Sequence, residues 1–210
     1  MVAETQVAST EEAKMIQSLI ERSRKAQAQI ENYSQQQIDE LITAMVWAVA
    51  RPDVAEKIAQ FTVEETQLGN YEGKYLKIAK KTRATLFDIL HDKSVGVIEE
   101  DRERNIVKIA KPVGVIGALA PCTNPEATPV IKSIFAVKGR NAIIIAPHPR
   151  SKLTNKMICD RMRAAIAALI SLLEAVTSLN RHLTMLSAST VARRGVMSLS
   201  KSSIMPMLSV

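Results

Sequence analysis

The chain has few of the residues that mark disulfide-stapled or metal-binding proteins. Only two cysteines, Cys122 and Cys159, occur among its 210 residues. Two thiols cannot build a disulfide scaffold, and they are typical of a reducing compartment. The three histidines do not stand at metal-ligand spacing from either cysteine. We therefore expect neither a disulfide framework nor a metal site.

Long apolar runs are also missing. The two longest uncharged apolar runs, residues 41–50 and 164–173, are about half as long as the ~20 residues that a membrane span needs. The first 14 residues contain neither a basic region nor an apolar core, so we expect no secretory signal. These absences predict a cytoplasmic protein without a membrane partner.

Acidic residues become scarce in the second half. Residues 1–110 carry 15 basic and 18 acidic side chains, whereas residues 111–210 carry 13 basic and 3 acidic ones. Such asymmetry can mark a nucleic-acid partner, an anionic cofactor site or a tail never selected for folding. Aromatic residues make up only 3% of the chain, and no basic stripe follows a helix face. We therefore expect no nucleic-acid partner.

The first part of the chain predicts a layer of four amphipathic helices. Ser9 with Glu12 and Ser34 with Gln37 fit the capping-box pattern at two helix starts. We interpret Trp47 as core filler, and we recognise no catalytic constellation in this layer. The predicted helices span about residues 9–32, 34–49, 52–65 and 73–90.

A hairpin follows the helical layer. Val95–Ile98 and Ile106–Ile109 have the composition of strands, and Glu99–Asn105 is interpreted as a charged turn between them. Such a hairpin is either an edge that pairs with another subunit or a solvated projection. Both interpretations stay open from the residues alone.

The centre of the chain, residues 111–152, predicts a strand, a helix and a strand. Val113–Ala120 and Ala142–Ala146 carry no charge, which is typical of strands that are covered on both faces. A helix that Pro125 opens connects them, so we predict a right-handed parallel crossover. We predict that the inner face of this helix holds Val130, Ile131, Ile134 and Phe135.

Polar residues follow both strands, where ligands bind in such units. Asn124 is either a turn residue or a hydrogen-bond donor to a developing oxyanion. His148, between two prolines, is either a partly exposed ring or a partner for a nucleotide. Arg150 and Lys152 lie near a helix start that favours phosphate, although such side chains are more often solvated. Cys122 is better explained as a packed thiol than as a nucleophile, because no histidine is nearby in sequence.

A further helix is predicted from Ser151 to Leu173, with Cys159 in a structural role. From Ser187 onward no helical or strand period persists, so no structure is assigned there. The chain has no G-x-G-x-x-G segment and no P-loop.

Three segments resemble the CoA-acylating aldehyde dehydrogenases, a branch of the aldehyde dehydrogenase superfamily. They are Pro112–Gly117, the P-C-T-N-P run at 121–125, and residues 140–150, which end in P-H-P-R. The similarity spans roughly residues 10–170. Within the branch, residues 63–77 are most similar to sulfoacetaldehyde dehydrogenases, with acetaldehyde dehydrogenases next.

This resemblance implies an α/β fold: a Rossmann-like cofactor-binding domain with an N-terminal helical layer. Residues 1–94 would form the layer and residues 95–170 the cofactor-binding core. The implied reaction is the oxidation of a short aldehyde, sulfoacetaldehyde or acetaldehyde, to its acyl-CoA. NAD or NADP would be the cofactor and CoA the co-substrate, and the hairpin would serve as the element that joins subunits of a homo-oligomer.

The resemblance also implies roles for the polar loops. Asn124 matches the asparagine that stabilises the oxyanion, and it is the one catalytic residue that we assign. Ala146 stands where hydrolytic relatives have a lysine. The implied cofactor-binding residues are Pro121, Cys122, Thr123, Asn124, Ala146, Pro147, His148 and Pro149.

The family pattern is lost near Leu169. The family's nucleophilic cysteine and a Gly-rich segment would come later in the sequence. We therefore expect a truncated or frameshifted chain, with an aberrant or disordered tail over residues 171–210, that is inactive alone. The alternative is a non-catalytic nucleotide-binding or interaction module.

Overall fold

A computed structural model describes the backbone of residues 11–191 and the side chains of residues 11 and 13–172. The predicted cap at Ser9 lies outside these residues. By its contacts the chain divides into two units between Leu169 and Ile170. The first unit holds all the elements described below except the later part of the last helix. The division into three domains stays a prediction.

Helices make up most of the described chain, and two short sheets accompany them. Strands β1 and β2 pair in antiparallel fashion, whereas β3 and β4 are parallel. This mixture confirms the predicted α/β class. The elements are α1 (Glu11–Ile30), α2 (Gln35–Ala50), α3 (Pro52–Thr66), α4 (Tyr71–Leu76), a π-helical segment (Lys77–Lys81), α5 (Thr82–Leu90), β1 (Gly96–Asp101), β2 (Ile106–Ala110), β3 (Val115–Ala120), α6 (Thr128–Lys138), β4 (Ala142–Pro147), a 3₁₀ turn (Pro149–Ser151) and α7 (Lys152–Val191).

Helix α2 begins as predicted. The Ser34 hydroxyl accepts the Gln37 backbone N–H at 3.3 Å, and the Gln37 side chain accepts the Ser34 N–H at 2.9 Å, which completes the capping box. Its apolar stripe is buried from Ile38 to Val49. Trp47, however, is 59% exposed, so its interpretation as core filler is wrong. It follows the buried Val46 by one position and therefore lies ~100° away around the helix.

The predicted helix over 73–90 is continuous, but it contains the π-helical segment. Four residues at four-residue spacing are buried on one face: Lys74, Ile78, Thr82 and Leu86. In a regular α-helix such steps drift by ~40° each, so the stripe would turn outward. The wider π turn takes up part of that drift. Lys74 consequently faces the interior.

The hairpin forms, with a shorter turn than predicted. Residues 99–101 extend β1 instead of belonging to the charged turn. The reason is a cross-strand pair: Glu99 lies opposite Lys108, and their side chains form an ion pair of 2.6 Å. Several apolar side chains of the hairpin are exposed: Val97, Ile98, Ile106, Val107 and Ile109.

Strands β3 and β4 pair in parallel as predicted, but the helix that connects them starts later. A turn at 124–127 precedes α6, and Thr128 N donates to Asn124 O at 3.1 Å. The helix begins at Thr128 because Pro129, rather than Pro125, occupies its first turn. Phe135 is half exposed, contrary to prediction, since Ala136 and Val137 take the inner positions.

The β3–β4 pair is not covered on both faces by the described residues. Along β3, Ala118 is 5% exposed whereas Leu119 is 77% exposed. The expectation of a doubly covered strand is therefore wrong for this half of β3. An uncharged sequence permits burial of both faces but needs a second layer to achieve it, and the described residues place none over Leu119.

Helix α7 continues to Val191, past the predicted end at Leu173. The assignment of no structure from Ser187 is thus wrong as far as Val191. Residues 174–191 contain neither glycine nor proline, so no helix-breaking residue occurs there. Residues 192–210 lie outside the described part. Over the described residues, no helix combines the length and hydropathy that crossing a bilayer requires.

Candidate functional site

The two polar loops meet at one edge of the parallel sheet. Ala120 lies opposite Pro147, and the N–H of His148 donates to the carbonyl of Ala120 at 3.0 Å. We call residues 121–127 the β3 loop and residues 147–151 the β4 loop. Parallel pairing therefore brings the predicted site residues together, as the strand ends of such a unit require.

A buried ion pair anchors the β3 loop to the helical layer. Lys74 Nζ donates to the carbonyl of Thr123 at 2.8 Å and to Glu126 Oε2 at 3.2 Å. The Glu126 side chain is fully buried, and that of Lys74 is nearly so. Removing one partner from such a pair would leave an uncompensated charge in the interior. The loop is therefore held by a strong constraint.

A second lysine reaches the same loop. Lys77 Nζ donates to Asn124 Oδ1 at 2.8 Å and lies 3.7 Å from Glu126 Oε1. That carboxylate oxygen has no hydrogen-bond partner among the described residues. Two ammonium groups thus face one carboxylate, which leaves a net positive charge behind Asn124.

These contacts set the orientation of the Asn124 amide. An ammonium can only donate, so the oxygen of the amide must face Lys77 and the nitrogen must face away. The nitrogen makes one long contact, 3.4 Å to Thr123 Oγ1. The amide therefore keeps donor capacity, which is what stabilisation of an oxyanion needs. The catalytic role of Asn124 stays a prediction.

The β4 loop is anchored differently. Glu65, near the end of α3, accepts the backbone N–H groups of Leu153 and Thr154, each at 2.8 Å. The Arg150 guanidinium donates to the carbonyl of Thr66. A carboxylate thus occupies the N-terminus of α7 and satisfies two of its free N–H groups. Of the two open interpretations, the structure favours a solvated Lys152, which is exposed, and gives Arg150 a structural partner.

His148 offers one remaining polar group. Its Nδ1 accepts the N–H of Arg150 at 3.1 Å, so the neutral ring carries its proton on Nε2. The ring is half buried, whereas Ala146 and Pro149 are exposed. The β4 loop therefore presents a single ring donor beside apolar surface.

Both cysteines are half buried. Burial raises the pKa of Cys159, and Asp160 adds to this effect while Arg163 opposes it. Cys122 is half buried, and no hydrogen bond or ion pair to it occurs in the part of the chain whose side chains are described. Within the same part, no three potential metal ligands cluster.

Sequence reasoning missed the two lysines and their carboxylate. Lys74 and Lys77 are about 50 residues from Asn124, and lysines on an amphipathic helix are usually solvated. One signal was available: Lys74 continues the four-residue stripe of Ile78, Thr82 and Leu86, so it belongs to the buried face. Glu126, beside Pro125, gave no such signal.

The chain is similar to known proteins over most of its length. The sequence profile of the aldehyde dehydrogenase family matches residues 2–173. Sulfoacetaldehyde dehydrogenase of an Acholeplasma species is 45% identical over 152 residues, which cover 72% of this chain and 31% of that protein. The chain thus spans about a third of the length of this relative.

Two solved structures share the fold. An acetylating aldehyde dehydrogenase from Geobacillus thermoglucosidasius is 33% identical, with a TM-score of 0.70, and the match covers 74% of this chain and 34% of that one. Propionaldehyde dehydrogenase from Rhodopseudomonas palustris, solved with bound CoA and an acylated cysteine, is 27% identical, with a TM-score of 0.62. That match covers 73% of this chain and 34% of the solved one.

Proposed function

Because this chain belongs to the aldehyde dehydrogenase family, we propose that it forms the cofactor side of an acylating aldehyde dehydrogenase. The proposed reaction converts a short aldehyde, sulfoacetaldehyde or acetaldehyde, to its acyl-CoA. Support comes from a relative named for sulfoacetaldehyde, from an acetylating relative, and from one solved with CoA and an acylated cysteine.

The orientation of Asn124 carries this proposal. Its amide oxygen is engaged by Lys77, so its N–H groups face away from the helical layer at the edge where β3 and β4 end. As negative charge develops on the aldehyde oxygen, the amide would donate to it. The net positive charge of the two lysines and Glu126 lies directly behind the amide and also stabilises the negative charge that develops on the aldehyde oxygen.

The two loops also fit a nicotinamide cofactor. Pro121, Cys122, Thr123 and Asn124 would lie at its nicotinamide end, and the β4 loop with Ala146 at its adenosine end. His148 Nε2 can donate to a ribose hydroxyl, and the exposed Ala146 and Pro149 can contact the adenine ring. Bound there, NAD or NADP would supply the hydride acceptor, and CoA would accept the acyl group.

We also propose that this chain alone does not turn over. Acyl transfer requires a reactive thiolate, and the raised pKa of Cys159 disfavours one at that position. Cys122 has no hydrogen-bonded base within the described residues. The exposed apolar side chains of the β1–β2 hairpin support a homo-oligomer for the complete enzyme.

Calorimetric titration of the 210-residue chain with NADH and NADPH tests the cofactor proposal. We expect binding of at least one cofactor, weakened several-fold by His148→Ala because the ring donor is lost. His91→Ala is the matched control, since His91 is an exposed ring at the end of α5. Absence of binding, or an equal effect of both substitutions, would refute the assignment of the loops.

A second candidate is a nucleotide-binding module without a reaction. The raised pKa of Cys159 favours it, and so does the lack of a hydrogen-bonded base beside Cys122 among the described residues. Titration with the cofactor in the presence and absence of sulfoacetaldehyde or acetaldehyde separates the two candidates. If the aldehyde leaves cofactor affinity unchanged, the module is the better description.

A further inference from the structure

We propose that Lys77 is a positioning residue that fixes the Asn124 amide with its N–H groups outward and strengthens them as donors. The buried pair of Lys74 and Glu126 holds the β3 loop where Lys77 can do this. The inference deepens the proposed function and rests on the assignment of Asn124 as the oxyanion donor. It assigns a task to a helix in which sequence reasoning found no chemistry.

Lys77 is the contact that discriminates between the two ends of the amide. The other neighbour, Thr123 Oγ1 at 3.4 Å, is a hydroxyl that can donate or accept, so it would satisfy either end. The ammonium at 2.8 Å can only donate. Without it, the amide would be free to rotate by half a turn and present its oxygen to the reacting centre. An oxygen there would repel an oxyanion.

The charge of Lys77 also matters. A hydrogen bond from an ammonium to the amide oxygen withdraws electron density from the nitrogen, so its N–H groups become better donors. Lys74 cannot serve this purpose, because its ammonium is committed to Glu126 Oε2 and the carbonyl of Thr123. The Lys77 side chain is 40% exposed, so solvent attenuates the effect without removing it.

Glu126 completes the arrangement. Its unpartnered Oε1 lies 3.7 Å from Lys77 Nζ, close enough to attract the ammonium but too far to be its hydrogen-bond acceptor. Lys77 is therefore held beside the β3 loop while its shorter bond goes to Asn124. A neutral side chain in place of Glu126 would weaken its attraction for the Lys77 ammonium.

The test uses the full chain labelled with ¹⁵N. Substitution Asn124→Asp identifies the Asn124 side-chain amide resonances by their disappearance. We expect Lys77→Met to move those resonances upfield, because the polarising ammonium is lost. Lys80→Met is the matched control, since Lys80 is exposed one turn further on and has no partner among the described side chains. Lys77→Arg should preserve the resonances, because a guanidinium also only donates.

The proposal fails if the Asn124 resonances stay in place in Lys77→Met, or if Lys80→Met moves them equally. Should Lys77→Met not fold, Lys77→Gln gives the same comparison, with a smaller upfield shift expected because a neutral donor remains. Glu126→Gln should move the resonances less than Lys77→Met. The readout requires neither cofactor nor turnover. Failure of Lys77 to influence the Asn124 amide can thus be told apart from failure of the chain to bind a cofactor. Failure of cofactor binding would refute the proposed function and not the role of Lys77.

Discussion

The β3 loop and the β4 loop occupy equivalent positions at the end of paired strands, yet they differ in the polar groups that remain free once each loop is anchored. Lys74 and Lys77 tie the β3 loop to the helical layer, with one positive charge in excess and an amide facing outward. The β4 loop is tied by Glu65 and Arg150, and Glu65 occupies two N–H groups at the N-terminus of α7. The β3 loop therefore keeps a free hydrogen-bond donor for a ligand, whereas the backbone donors beside the β4 loop are already occupied by a carboxylate.

Breaking the anchor of the β3 loop should have the largest effect. Glu126→Ala leaves Lys74 buried without its carboxylate, so we expect a loss of about 3–5 kcal/mol in the free energy of unfolding. Urea denaturation measures it. Glu56→Ala, at an exposed position on α3, is the control and should change stability little. Equal losses in the two variants would show that the buried pair does not anchor the loop.

Breaking the anchor of the β4 loop should cost less. Glu65→Ala removes a partly exposed capping carboxylate, so we expect a loss of about 1–2 kcal/mol. The variant should also gain a response to sulfate, because its α7 N–H groups become free to bind an anion. Melting temperatures in sulfate and chloride at equal ionic strength measure this, with Glu64→Ala as the control. A variant whose sulfate response matches that of the unaltered chain would contradict the assignment.

The smallest effect concerns the thiol of α7. Burial raises the pKa of Cys159, so its thiolate is disfavoured in the folded chain. The protonated Cys159 thiol contributes fully to the free energy of unfolding at pH values below its pKa in the unfolded chain. This contribution is lost as the pH rises through the higher pKa of the folded chain, because the thiol of the unfolded chain ionises first. Alkylation at pH 8, followed by peptide mass spectrometry, should be several-fold slower for Cys159 in the folded chain than in urea. Equal rates in both states would contradict the shift.

Local patterns allowed much of this fold to be predicted. The capping box of Ser34 and Gln37 lies within four residues, and the crossover follows from two uncharged strands around one helix. Both signals are local, so the residues themselves carry them. The prediction for Phe135 failed because Ala136 and Val137 supply an equally apolar face, and periodicity alone does not choose between the two.

The site was predictable only in part. The loops could be placed because parallel strands end at a common edge. Glu65 at the start of α7 could not be foreseen, since it lies 88 residues from Leu153. The same holds for Lys77 and Asn124, which are 47 residues apart. Such pairings depend on how helices and loops pack against each other, and the residues within a short window of sequence do not determine that packing.

The π-helical segment sets the tolerance of this region to changes in chain length. Each residue of an α-helix accounts for ~100° of rotation. A π-helical turn contains about one residue more than an α-helical turn. Deleting one residue between Ile78 and Thr82 would therefore let the segment close as a regular α-helix, with Lys74 still on the face that it shares with Ile78 and Leu86. A one-residue deletion within α5 has no such extra residue to remove, so it would rotate the residues that follow it by ~100°. We expect single-codon deletions to be tolerated better in the π-helical segment than in α5.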